Sequence, residues 1–197
     1  MNKDDILGYV MIIFILIISY KLYIDSDYFQ LKCIVSTVDG DKYCVRERKK
    51  LDEAADLLAT VTNKCKQLVE VMHKKFPERD EVKRLVKGFR PDKITETLPT
   101  STLTAYSENK GEKIAFCLNN KKNGTSLIDI NTLTFVAIHE LSHVMTVSIG
   151  HKQEFWENFK FLLVNASEAG IYTPVNYNEN PKEYCGMEIT DNPFFDM

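Results

Sequence analysis

Three residues in one short stretch, His139, Glu140 and His143, have the types and spacing to hold and use a metal ion. They form the motif HELSH inside the apolar run TFVAIHELSHVMTV. Residues four apart on a helix share a face one turn apart, so both imidazoles can ligate a single ion. Glu140 then falls beside the ion, where its carboxylate can take a proton from a water and later deliver it to a leaving amine. Zinc suits imidazole ligands, and a catalytic zinc site keeps one coordination position open. Two histidines at this spacing could instead be a solvated or a satisfied core pair. Against that, Phe135, Val136, Ile138, Leu141 and Val144 make the helix largely buried, where unpaired imidazoles and a carboxylate would be costly.

A catalytic zinc needs a third protein ligand. His151 is the preferred candidate, because Gly150 breaks the helix just before it and lets the chain turn back. The alternative is a glutamate from the following helix; Glu168 has a suitable separation, and Glu154 and Glu157 rank behind it. Of the chain's four histidines, the remaining one, His73, reads as a surface residue beside Lys74 and Lys75.

The stretch HELSH-VMTVSIG-H-KQE-FW-ENFKFLL resembles the WLM family of small zinc metalloproteases, and more distantly the SprT/Spartan-type proteases. It also looks like membrane-anchored homologues in large DNA viruses and algae. The resemblance covers about Lys113 to Gly170. It implies zinc held by His139, His143 and His151, with Phe155-Trp156 as the aromatic pair that opens the next helix. Seven residues separate His143 from His151, where the WLM pattern has five. The family's link to DNA-crosslinked proteins is not carried over: the formal net charge is −3, and no DNA-binding tail is recognisable, so no nucleic-acid partner is expected.

The elements that must position these residues follow from periodicity. Leu51, Ala55, Leu58, Val61, Cys65, Leu68, Met72 and Phe76 recur at spacings of three and four, which predicts a long amphipathic helix ending before Pro77. A short helix is expected over Arg79 to Val86. The motif helix should run from Thr132 through Val147 with Asn131 as its cap, and the next from about Gln153 to Ala169, stopping at Gly170. Strands are expected over Phe29–Val38 and Lys42–Arg46, turning at Asp39-Gly40, and over Leu103–Tyr106 and Lys113–Leu118. The last of these could hold an extended peptide as an added strand. Together they predict an α+β, zincin-like domain over residues 27–197, with a small sheet and a metal-bearing helix.

Residues 1–26 read as a separate segment. Leu7 to Tyr20 is apolar and, with Lys21 to Ile24, long enough for a thin or slightly tilted membrane span. It has neither the basic leader nor the small-residue cleavage site of a signal peptide, which makes an uncleaved anchor the better reading than a signal or a core helix. Asn123-Gly-Thr and Asn165-Ala-Ser are formal glycosylation sequons. The five cysteines contain no C-x-x-C pair, and a two-residue turn at Asp39-Gly40 would not set Cys33 opposite Cys44, so ordinary thiols are expected. Tyr184 and Met187 could serve an oxyanion and a Met-turn beneath the metal; a core methionine and a half-buried tyrosine in a C-terminal coil are the preferred reading.

The function that emerges is hydrolysis of a polypeptide substrate by a membrane-held zinc enzyme. The alternative is a noncatalytic membrane-anchored binding or structural protein with a closed or absent metal site. Glu140 argues against it, since a structural site has no use for that carboxylate.

Overall fold

The computed structural model describes residues 3–122 and 124–196; Asn123, the head of the first sequon, lies outside the described residues. Helices α1 (Lys3–Ile24), α2 (Asp27–Gln30), α3 (Leu51–Lys75), α4 (Asp80–Gly88), α5 (Ile130–Met145) and α6 (Gln153–Glu168) combine with strands β1 (Leu31–Val35), β2 (Lys42–Arg46), β3 (Ile94–Glu96), β4 (Ala105–Glu108), β5 (Lys113–Phe116), β6 (Lys182–Tyr184) and β7 (Met187–Ile189) in an α+β fold.

α3 buries Ala55, Leu58, Val61, Cys65, Leu68 and Met72, the face its spacing predicts. α5 packs against α3, α4 and α6, and Leu133, Ala137, Leu141 and Met145 are fully buried there. Its start differs from expectation. Asp129 is the cap, its carboxylate accepting from the Thr132 N–H at 2.9 Å and the Thr132 hydroxyl at 2.7 Å. Asn131 lies inside the first turn and exchanges hydrogen bonds with the Thr173 backbone. A carboxylate three residues before Thr132 satisfies a first-turn donor that Asn131, already helical, cannot reach.

The central sheet has the order β3-β5-β4, with β3 parallel and β4 antiparallel to β5. β5 is therefore the middle strand, and the expectation that it receives an added peptide strand is overturned: both its edges are already paired. β4 is an outer strand, with no further strand paired to its other side among the described residues. The β4–β5 turn uses positive φ at Asn109, Lys110 and Gly111. A Cβ on Gly111 would meet the Gly88 carbonyl oxygen at 2.5 Å, so the close approach of this turn to α4 requires glycine. β3 was not anticipated. It has only three residues and pairs at long range with Ile114 to Phe116, leaving no local signal.

The C-terminus also departs from a coil: β6 and β7 form a hairpin turning at Cys185 and Gly186, both at positive φ. Such a turn normally announces itself by Asn-Gly or Asp-Gly, and Cys-Gly hides it.

The cysteine expectation is likewise corrected. Cys33 pairs directly opposite Cys44 and the two are disulfide-bonded, because the connection is longer than a two-residue turn: Ser36 N–H donates to Asp41 O at 2.9 Å. Cys117 and Cys185 form a second bridge, with Cα atoms 6.0 Å apart, while Cys65 is a buried thiol. Asn165 of the second sequon is buried in α6 and donates to Phe161 O, so it offers no surface for a glycan.

Candidate metal centre

His139 and His143 sit one turn apart on α5, with ring centroids 5.0 Å apart. The helix ends at Thr146, and the link to α6 swings His151 back over them, helped by positive φ at Gly150. His151 Nε2 lies 3.0 Å from His139 Nε2 and 3.2 Å from His143 Nε2. Nitrogens bound tetrahedrally at about 2.0–2.1 Å from one zinc stand roughly 3.3 Å apart, so the three lone pairs converge as a metal triangle requires. One ligand atom from each histidine lies within 4.8 Å of the others. Glu168 is elsewhere, in an ion pair with Lys75 at 2.9 Å at the end of α6. Glu157 accepts from Gln153, and His73 is exposed.

The link that carries His151 is held from several elements. Arg84 of α4 donates to Met145 O at 2.9 Å, and Lys110 of the β4–β5 turn donates to Thr146 O and Ser148 O, both at 2.8 Å. These cations satisfy carbonyls left open at the C-terminal end of α5. Glu154 accepts from the Val147 and Ser148 N–H groups at 3.0 and 3.2 Å, which makes it a brace for the link. Trp156 Nε1 donates to His151 O at 3.1 Å. Phe155 lies against all three imidazoles and stacks on His143 at a centroid distance of 4.4 Å. Glu154 was noticed in sequence for the wrong role; Arg84 and Lys110 carried no signal, because only folding brings them to the end of α5.

Burial sets the protonation of the group. Desolvation, then the neighbouring imidazoles, pull His139 down to about 3. Desolvation, with His151 and Lys110 nearby, pulls His143 down to about 4. Neutral rings at ordinary pH keep the lone pairs that a metal needs. Glu140 is 5% exposed, and desolvation raises its carboxyl to about 8. A nearby dication would favour the ionised form and oppose that rise.

The triad opens into a cleft bordered by the outer strand β4. On the His143 side lies a recess of about 560 Å³, reaching Tyr106, Asn109, Lys110 and Gly150. On the other side is a more apolar recess of about 390 Å³. A larger concavity, about 890 Å³, lies away from the triad between Phe29, Arg46 to Lys50 and Lys122. Two cations of its basic run are committed to structure: Arg46 donates to Thr97 O, Leu98 O and Lys122 O, and Arg48 pairs with buried Glu96 and with Asn119.

Tyr184 is 1% exposed, and its hydroxyl donates to Thr104 O and accepts from the Cys117 N–H. Met187 is 48% exposed on β7, accepts from the Thr104 hydroxyl through Sδ, and is a cleft wall rather than a floor beneath the metal.

Comparison with known proteins matches residues 42–193 to the WLM domain family. The chain is 29% identical over 163 residues to uncharacterized protein R325 of Acanthamoeba polyphaga mimivirus, covering 81% of this chain and 82% of that protein. It is 41% identical over 82 residues to uncharacterized protein 136R of invertebrate iridescent virus 6, covering 41% and 44%. No solved structure matches.

Proposed function

The chain belongs to the WLM family, and on that premise we propose that it is a zinc-dependent metallopeptidase of zincin-like fold acting on polypeptides. The observation that carries the reading is the convergence of three imidazoles beside one buried carboxylate, in a cleft bordered by the outer strand β4. The donor set fits zinc: three histidines leave a fourth position open, as catalytic sites require. When bound by His139, His143 and His151, zinc supplies a Lewis acid that activates water and polarises a carbonyl. β4 offers backbone donors and acceptors that align an extended peptide across the triad. Glu140 takes the proton from the attacking water and passes it to the leaving nitrogen.

α1 is read as a single-pass membrane anchor. Its 22 residues span about 33 Å at 1.5 Å per residue, enough for a hydrocarbon core, and none of its Asp5–Ile24 stretch is buried against the domain. The disulfides fit a domain on an oxidising side of that membrane. The test is metal analysis and hydrolysis of an unfolded protein by the purified chain: about one zinc with cleavage abolished by Glu140→Gln is expected. Cleavage that survives loss of both zinc and the carboxylate would sink the proposal.

A further inference from the structure

The concavity of about 890 Å³ that lies away from the triad sits where α1 meets the domain. Two of its lining residues, Phe29 and Gln30, belong to α2, directly after α1. Gln30 Nε2 donates to Tyr23 O at 3.3 Å, and the hydroxyl of Thr100, next to the lining residue Pro99, donates to Ile24 O at 2.9 Å. The last turn of α1 is thereby held against the rim. Aromatic side chains are exposed along this junction: Tyr20, Tyr23 and Phe29, the last two with ring centroids 5.4 Å apart. Tyrosines at the end of a membrane span sit at the level of the lipid headgroups, and that level is also the level of the concavity.

Its lining is cationic. Arg46, Arg48, Lys49, Lys50 and Lys122 contribute to it, against one carboxylate, Glu47. Little countercharge is left for them. Glu47 pairs with Lys32, and Lys50 with Glu53, both at the surface. Buried Glu96 is shared between Arg46 and Arg48, so one guanidinium charge of the floor stays unbalanced. Among the described residues no carboxylate pairs with the ammonium of Lys49, which is exposed, or of Lys122, which is half-buried. Arg46, itself 7% exposed, bonds to Thr97 O, Leu98 O and Lys122 O, which fixes the floor and ties the Lys122 turn to β2. A rigid cationic hollow suits a compact anion with several oxygens, and the aromatic junction with a membrane span indicates which one: a phosphate carried by a lipid.

We propose that this concavity binds the headgroup of an anionic phospholipid from the membrane that holds α1, through the Lys49 and Lys122 ammonium groups. A headgroup seated there fixes the domain against the bilayer surface while its acyl chains run beside α1 past Phe29 and Tyr23. The proposal goes beyond the peptidase reading and rests on the reading of α1 as an anchor; its test separates the two.

The full chain, purified in a nonionic detergent, is titrated against two fluorescent lipids with the same acyl chains, a phosphatidylglycerol and a phosphatidylcholine, with inorganic phosphate as the soluble competitor. The phosphatidylglycerol should bind more tightly, with a preference that weakens as salt is raised. Lys49→Gln together with Lys122→Gln should weaken its binding about thirty-fold, the effect of two ammonium charges at the strength usual beside a membrane surface. Thermal unfolding of that variant should match the wild type, since the backbone of Lys122, not its ammonium, meets Arg46. Lys74→Gln together with Lys87→Gln removes the same charge from the last turns of α3 and α4 and should leave the preference intact. Equal binding of the two lipids, or equal loss in the two double variants, overturns the site. Displacement of the phosphatidylglycerol by inorganic phosphate at equal concentration overturns the lipid as its occupant in favour of a soluble phosphate. Recovery of the full chain in the soluble fraction without detergent overturns instead the anchor reading on which the proposal rests.

Discussion

Replacing Glu140 by glutamine exposes two separate consequences of burying a carboxyl beside three imidazoles. In the metal-free protein the unfolded chain releases this proton near 4.5, whereas the folded chain holds it to about 8. Above pH 4.5 the folded state thus binds the extra proton, and stability falls as pH rises. His139 and His143 act in the opposite sense. Their folded values of about 3 and about 4 lie below the ordinary 6.5, so stability is lost as pH falls through 6.5. Between 4.5 and 6.5 the two histidines outweigh the glutamate by one proton; above 6.5 only the glutamate acts. The metal-free protein should therefore be most stable near pH 6.5. From 6.5 to 8 the window is 1.5 units, and one proton at about 1.36 kcal/mol per unit gives an upper figure of about 2 kcal/mol lost by pH 8. Glu140→Gln carries no charge to desolvate and should remain level over that window. Urea unfolding with a chelator present, followed by the fluorescence of the single tryptophan, Trp156, reads both curves. With zinc restored, the variant should bind metal as the wild type does yet hydrolyse peptide about a hundred- to ten-thousand-fold more slowly. Parallel alkaline decline in both proteins, or equal cleavage at equal zinc content, would refute the reasoning.

The remaining predictions concern the ligands, the bridges and the anchor. His151→Ala should lose zinc, measured by metal analysis after dialysis, while Glu168→Ala, which breaks only a surface pair with Lys75, should retain it; the reverse outcome would move the third ligand. Opening the Cys117–Cys185 bridge by double serine replacement should cost about 4 kcal/mol for its separation of 68 residues, against about 3 kcal/mol for Cys33–Cys44 with its separation of 11. Chemical unfolding would show the order, and an equal or inverted pair would count against it. Removing Met1–Ile24 should release a folded domain from membranes, since α1 contributes little beyond hydrogen bonds such as that from Thr100 to Ile24 O; an insoluble or unfolded truncation would place α1 in the core.

Several parts of the molecule were legible in the residues because their determinants are local. The three- and four-residue spacing in Leu51 to Phe76 is enough for α3, and His139-x-x-x-His143 needs only one helical turn to put two imidazoles on one face. Gly150 before His151 marked where the chain could turn back, and the 22-residue apolar helix needed only composition.

What the sequence left open depends on contacts between distant residues. β3 exists because Ile94 to Glu96 find Ile114 to Phe116, and that pairing turned β5 into a middle strand and gave the cleft edge to β4. The register that sets Cys33 against Cys44, and the bridge across 68 residues that fixes the hairpin wall, likewise required loop lengths and close approaches that no local pattern encodes. Arg84 and Lys110 brace the His151 link from two other elements, and their long side chains looked like ordinary surface charge. Local propensity specifies helices and the spacing of ligands along them. The third imidazole's exact approach, the outer strand and the recess beside it come only from packing, because each is a distance between residues far apart in the chain.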